Sequence, residues 1–372
     1  MLRDFVALRR LCANAVSEEV VPGAVVLVSS EGKTVFLEAC GRRQIVPEAL
    51  PATEATIYDV ASVTKAAVTS VLAMQAVQNK LLRLDDPVQQ HLPEFVDEGP
   101  GSDKGAVTIR QLLAHAGGLA AHRPFYASVD AGPGPERRLE IMRAAAREPL
   151  AGPPGVKSLY TDLGFILLGW ILERLGGARL DAQARRAIFQ PLGLMASMFV
   201  DVDAGTGPRP QDLGPVAATE RCPSRQRMLV GEVHDLNAFA MGGVAGHAGL
   251  FSTAADLAAI AQALVSAWRG DPSAALVDRD VVREFWRPAG IPGSSWRLGW
   301  DGPADKNSQA GTLLSRAAVG HLGFTGCSLW IDPARDLIIV LLSNRVHPTV
   351  RDDPRFRLFR PAVHDAVLAA LD

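Results

Sequence analysis

What constrains this chain most is where its strand-forming text lies: at the two ends, with helical text between. Gly23-Ala-Val-Val-Leu-Val-Ser-Ser is a β-branched run, Glu31-Gly32-Lys33 a turn, and Thr34-Val-Phe-Leu-Glu-Ala a second run, together a hairpin signal. Cys327-Ser-Leu-Trp-Ile-Asp, a Pro-Ala-Arg-Asp turn and Leu337-Ile-Ile-Val-Leu-Leu-Ser form another. From about 105 to 230, helical stretches at 107–115, 136–147, 160–175 and 181–190 alternate with Pro/Gly-rich loops at 132–135, 151–155 and 205–210, and no strand run of comparable quality occurs. A last helix is expected at about 354–371. The simplest assembly pairs the terminal hairpins in one antiparallel sheet, covered by the first, last and central helices. This is an α+β fold: one catalytic domain over 1–372, with an α/β lobe from about 1–80 and 235–372 and a helical lobe from about 81–234. A site is expected in the cleft between them.

Composition narrows the class. Hydrophobic residues make up 48% and charged residues 21%, which is ordinary globular usage. The net charge is −2 and the 38 Lys and Arg are scattered, so there is no electrostatic footprint for nucleic acid or an anionic membrane. Cys12, Cys40, Cys222 and Cys327 match no zinc or redox spacing and read as free thiols of a reducing compartment. At the N-terminus, Arg3, Asp4, Arg9 and Arg10 interrupt any signal-peptide core, while Leu2, Phe5, Leu8 and Leu11 recur at helical spacing. The longest apolar stretch, 163–172, is too short to span a bilayer. These features predict a cytoplasmic protein without a membrane span.

Ser62-Val-Thr-Lys65 opens a stretch, 62–79, that is apolar nearly all round, the pattern of a buried helix. One helical turn sets Lys65 on the same face as Ser62. A serine hydroxyl is a poor nucleophile until something takes its proton, and a desolvated lysine with a lowered pKa is one such base. Spacing alone does not single the pair out: Ser30-Glu-Gly-Lys33 repeats it in a hairpin turn, and an N-cap serine followed by a solvated lysine fits as well.

Tyr160-Thr-Asp162 follows a Pro/Gly loop and opens the next helix. A tyrosine held beside an ammonium takes on phenolate character and can act as general base; a packing tyrosine with a helix-capping aspartate is the alternative. His321-Leu-Gly323 precedes the last strand pair, where an edge strand would line a cleft and turn backbone N–H groups toward an acyl oxygen. His115-Ala-Gly and His247-Ala-Gly share that spacing. His115 ends a helix, where a cation suits the dipole, and reads as structural. His247 is either a cleft residue or a loop histidine bonded to backbone. His234-Asp235 hints at a metal, but no second His/Asp cluster supports one, and no metal or cofactor is expected.

Taken in order, the three elements resemble the serine β-lactamase and DD-peptidase (penicillin-binding protein) superfamily, on its class C β-lactamase and esterase side, which carries Ser-x-x-Lys, Tyr-x-Asn and Lys/His-x-Gly. The flanking text agrees over roughly 5–350, including Tyr58-Asp-Val-Ala-Ser-Val-Thr-Lys, Leu84-Asp-Asp-Pro-Val, Thr108-Ile-Arg-Gln-Leu-Leu-Ala-His-Ala-Gly-Gly-Leu and Gly323-Phe-Thr-Gly326. The resemblance implies a serine hydrolase with an acyl-enzyme on Ser62, Lys65 and Tyr160 sharing the proton work, and an oxyanion held by the N–H groups of Ser62 and Phe324. It implies a small-molecule acyl substrate: an ester, a D-amino-acid peptide or a β-lactam. A sensor that acylates without efficient turnover is the alternative.

Two departures from the family pattern matter. His321-Leu322-Gly323 replaces Lys-Thr-Gly, so a fixed cation and a hydroxyl are both lost. Weaker binding of substrate carboxylates and a shift toward esters or uncharged amides are expected, unless Arg345, just after the last strand, restores a cation. Asp162 stands where asparagine is commoner, and a carboxylate there favours a protonated Lys65 and puts more weight on Tyr160. Specificity is expected in the loops 120–135 and 200–230.

Overall fold

The computed structural model describes residues 4–96, 103–132, 134–203, 212–271 and 276–372; the expected loop at 205–210 and Pro133 of the loop at 132–135 lie outside them. The terminal hairpins join in one sheet. Strands β1 (Gly23–Ser30), β2 (Lys33–Gln44) and β3 (Leu50–Pro51) come from the start of the chain, and β4 (Val319–Leu322), β5 (Ser328–Asp332) and β6 (Leu337–Ser343) from its end. The order is β3-β2-β1-β6-β5-β4, antiparallel throughout, with β1 against β6 from Ala24↔Ser343 to Ser30↔Leu337.

Every residue of β1 and β6 is buried, because helices cover both faces. The two-residue period of a strand divides the side chains between two cores. Val26, Val28, Ile339 and Leu341 pack with Leu8 of helix α1 (Val6–Ser17) and with Phe359 and Val363 of the last helix (Pro354–Leu371). Val25, Leu27, Ile338 and Val340 face the larger core, which includes Ile260 and Leu264 of helix Ala254–Arg269 and continues through the mid-chain helices. Charges on the outer face and Leu8, Cys12 and Ala15 on the inner make α1 part of the fold, as its spacing predicts.

Three expectations need correction. The stretch after Ser62 is not one α-helix: it runs through a π-helical segment, Lys65–Ser70, before the α-helix Val71–Gln78, with Ser70 Oγ donating to the Lys65 carbonyl at 2.7 Å. The predicted helix at 181–190 is likewise α over Leu180–Ala184 and π over Arg185–Phe189. Strands do occur mid-chain: Ala218–Cys222 pairs with Arg227–Val230, and Met198–Phe199 joins Leu250–Ser252, which pairs with Tyr58–Asp59. All are short, from two to five residues, so they carry little alternation to read; Ala218–Cys222 and Arg227–Val230 form a local hairpin, while Tyr58–Asp59 and Met198–Phe199 meet Leu250–Ser252 from far along the chain. No cysteine is in a disulfide.

Candidate active site

Ser62 stands at the turn between the short strand Tyr58–Asp59 and the π-helical segment. Ala61 just before it adopts a left-handed φ of +47°, a conformation that costs a non-glycine residue about 1–2 kcal/mol. Three contacts hold it there. Asp59 Oδ1 accepts the Ala61 N–H at 2.8 Å, Asp59 Oδ2 accepts the His234 N–H at 2.7 Å, and Thr64 Oγ1 donates to the Ala61 carbonyl at 2.6 Å. Asp59 is buried, and burial pushes its carboxyl up despite the two N–H donors.

Lys65 is fully buried, and its ammonium has three partners. Nζ donates to Ser62 Oγ, Asp162 Oδ1 and the His247 carbonyl, each at 2.9 Å. Burial alone would lower its pKa; Asp162, and then Tyr160, outweigh it and the net direction is up. Burial would raise Asp162, but Lys65, with His122 and His247 behind it, pulls that carboxyl well below the usual range. Lys65 is therefore a held cation and not the lowered-pKa base that an isolated desolvated lysine would be.

Tyr160 and Asp162 flank Thr161, the N-cap of helix Asp162–Gly176. Thr161 Oγ1 accepts from the Leu163 N–H at 3.1 Å and donates to the Ala120 carbonyl at 2.5 Å, so the cap is Thr161 and Asp162 is free to meet Lys65. Lys65 Nζ lies 4.9 Å from the Tyr160 ring centre, and Lys65 and Ser62 are close enough to pull the Tyr160 phenol down. Phenolate character does not follow. Burial raises Tyr160, and Asp162 adds to it, against the downward pull of Lys65; the phenol stays protonated.

His321 lies on β4, the edge strand of the sheet. Its Nδ1–H donates to the Leu322 carbonyl at 2.8 Å, leaving Nε2 buried with no partner among the described residues. Burial and then Lys65 lower it to about 3, so it is neutral. His115 differs from its expected role. It is buried and pushed well below 6.5, chiefly by burial, so it is no helix-end cation. Its Nδ1 accepts the Thr161 N–H at 3.1 Å, and its ring packs 4.7 Å from Tyr160 and 4.3 Å from Trp296. His247 bonds through Nε2 to Asp235 at 2.9 Å and reaches the site through its carbonyl, while His234 pairs with Glu220.

Of the expected site residues, Ser62, Tyr160, His321, Gly323, Phe324 and Arg345 line one cavity of about 460 Å³. Lys65 and Asp162 lie behind its wall. Neither the Ser62 nor the Phe324 N–H donates to any acceptor among the described residues. Gly323 is needed at its position: a Cβ there would collide with the Val60 carbonyl oxygen and lie 3.2 Å from Cys327 Cβ. Arg345 Nε donates to the Phe324 carbonyl at 2.9 Å, and its guanidinium covers the Phe324 ring at 4.8 Å. Sequence reading missed Trp296, His122 and Arg360. His122 Nδ1 stands 3.4 Å from Asp162 Oδ2, and Trp296 and Arg360 line the cavity. None sits in a recognisable motif; each reaches the site from a separate segment.

This is a beta-lactamase-type fold around a Ser/Lys/Tyr cluster, and the Beta-lactamase family model matches residues 8–362. The chain belongs to that family and is a hydrolase. A protein of Escherichia coli (strain K12) named "Putative D-alanyl-D-alanine carboxypeptidase" is 32% identical over 354 residues, 89% of this chain and 80% of the relative. An "N-acetylmuramyl-L-alanine amidase" of Bacillus subtilis (strain 168) is 32% identical over 355 residues, 89% of this chain and 79% of the relative. Among solved structures, "EstCE1, a hydrolase with promiscuous acyltransferase activity" superposes with a TM-score of 0.74 at 21% identity, over 97% of each chain. Among the described residues no helix is long and apolar enough to cross a membrane.

Proposed function

We propose that the chain hydrolyses amide or ester bonds of small acyl substrates through an acyl-enzyme on Ser62. The observation that carries this reading is the single ammonium of Lys65, shared at 2.9 Å between Ser62 Oγ and Asp162 Oδ1 at the edge of an open cavity. In the same reading, the sheet-bearing segments (about 1–80 and 235–372) form one lobe of a single catalytic domain, and 81–234 the other.

With Lys65 charged and Tyr160 neutral, neither is a free base. The proton is passed on instead. As Ser62 Oγ bonds to the carbonyl carbon, its proton moves to Tyr160 Oη, and the Tyr160 proton moves to the leaving nitrogen or oxygen as that bond breaks. Lys65 stabilises the negative charge that develops on both oxygens. In deacylation, water gives its proton to Tyr160 and Tyr160 returns one to Ser62. The tetrahedral oxyanion rests on the N–H groups of Ser62 and Phe324.

Arg345 supplies the cation that His321 and Leu322 do not. A substrate carboxylate, of a D-amino-acid peptide or a β-lactam alike, would be met by Arg345 on the cavity wall and not by a lysine or hydroxyl beside β4. The relatives named as a carboxypeptidase and an amidase support amide substrates.

The test is intact-mass labelling with a serine-reactive aryl phosphonate, followed by assays on aryl esters, nitrocefin and D-Ala-D-Ala peptides. One adduct on Ser62, absent in Ser62→Ala, is expected. An adduct that persists in Ser62→Ala would overturn the assignment.

A further inference from the structure

Arg360, on the last helix, has an environment that stability alone does not explain. It is 7% exposed, and its guanidinium pairs with no carboxylate among the described residues. Its Nε is buried with no partner among the described residues. Burial pushes it down to about 10, which still leaves it charged at neutral pH. An unpaired buried charge is costly to fold, and an apolar side chain of the same length would be cheaper. Its aliphatic stem and guanidinium pack on Phe356, at 4.9 Å from the ring centre.

What the guanidinium does touch is specific. Arg360 Nη2 donates to the Gly323 carbonyl at 2.9 Å. Gly323 C=O and Phe324 N–H belong to one peptide unit; that N–H has no acceptor among the described residues, and Phe324 lines the same cavity as Ser62. A cation donating to a peptide oxygen draws electron density toward it, makes the N–H at the other end a stronger donor, and fixes the peptide plane. The full positive charge also lies one peptide unit from the oxyanion, on a side chain only 7% exposed, where charge is screened less than at the surface.

We propose that Arg360 is a positioning residue for the oxyanion hole: it polarises and orients the Gly323–Phe324 peptide so that the Phe324 N–H stabilises negative charge on the acyl oxygen. This rests on the reading of Ser62 and Phe324 above. It gives the buried charge a task that matters in the transition state and not in the resting fold.

Arg360→Met tests it, because methionine keeps the stem and removes the charge. The predicted signature is opposite movement of two quantities. The melting temperature holds or rises, while kcat on a p-nitrophenyl ester falls roughly 10-fold, less than the ~100-fold lower bound for deleting a whole oxyanion donor, with KM within about 2-fold. Arg360→Lys restores part of kcat. The decisive readout is the rate ratio between an ester and its thionoester, since a thiolate-like sulfur anion gains little from N–H donors. The wild type should strongly favour the ester, and Arg360→Met should lose most of that preference. An unchanged ratio in Arg360→Met, or a loss of kcat that merely tracks a loss of melting temperature, would overturn the proposal for Arg360 alone. A wild type with no ester preference, or activity surviving in Ser62→Ala, would instead overturn the underlying reading of the site.

Discussion

Asp162 Oδ1 stands 2.9 Å from Lys65 Nζ, so the fully buried cation that holds Ser62 brings its own counter-ion. Asp162→Asn should therefore cost about 3 kcal/mol of stability near neutral pH, the scale for stranding a buried charge. The pH dependence has a definite sign. Asp162, depressed in the fold, contributes above the unfolded carboxyl value near ~4 and loses that as pH falls. Lys65, raised in the fold, contributes below the unfolded lysine value near ~10 and loses that as pH rises. Urea unfolding of wild type and Asp162→Asn should differ most between those limits, and the gap should close on both flanks.

Tyr160→Phe removes the hydroxyl that relays the Ser62 proton while keeping the ring against His115 and Trp296. Acylation measured by the p-nitrophenol burst should drop about 100- to 1000-fold, with little change in stability. Near-wild-type acylation would exclude the relay.

The histidines nearest the site should separate by titration. His321, lowered to about 3, and His115, pushed well below 6.5, stay neutral, and their ring resonances should not move between about pH 5 and 8. His122, half-exposed, is raised first by its hydrogen bond to Asp162 and should titrate above its usual value. If activity has an acidic limb in that range, His122→Ala should shift it and His321→Gln should not.

Arg345→Ala should discriminate between substrates. Loss of this cation from the cavity wall is expected to raise KM about 10-fold for a carboxylate-bearing peptide and less than about 2-fold for a neutral aryl ester. Nitrocefin turnover should stay far below ester turnover, since β4 presents a neutral His321 and Leu322 in place of a lysine and a hydroxyl. Turnover of nitrocefin rivalling a dedicated β-lactamase would contradict this.

Local text was enough for several features. The two terminal hairpins, the amphipathic first helix, and the order Ser62, Tyr160, His321 are each set by neighbours within a few residues, through alternation, helical period and turn chemistry. The last helix, expected at about 354–371, spans Pro354–Leu371. Asp162 favouring a protonated Lys65 also followed from residue types alone, given the family order. The strand Met198–Phe199 did not, because its partner Leu250–Ser252 lies some fifty residues on, and the hairpin Ala218–Cys222 with Arg227–Val230 is too short to show a clear alternation. The π-helical segment after Ser62 was equally hidden, since an apolar run such as 62–79 does not mark where the hydrogen-bond spacing widens.

The protonation states of Tyr160 and the buried histidines belong to the tertiary structure. Sequence suggests that Tyr160 beside Lys65 is phenolate-like and that His115 is a helix-end cation. Desolvation decides otherwise, and desolvation is the summed effect of segments brought together from across the chain. The same holds for Arg360. Nothing near it in sequence marks it, yet folding brings a residue of the last helix within 2.9 Å of the Gly323 carbonyl, beside the cavity that Ser62 and Phe324 line. Residue order determined which groups this protein has for chemistry; only burial and long-range contact determined their charge and what each one holds.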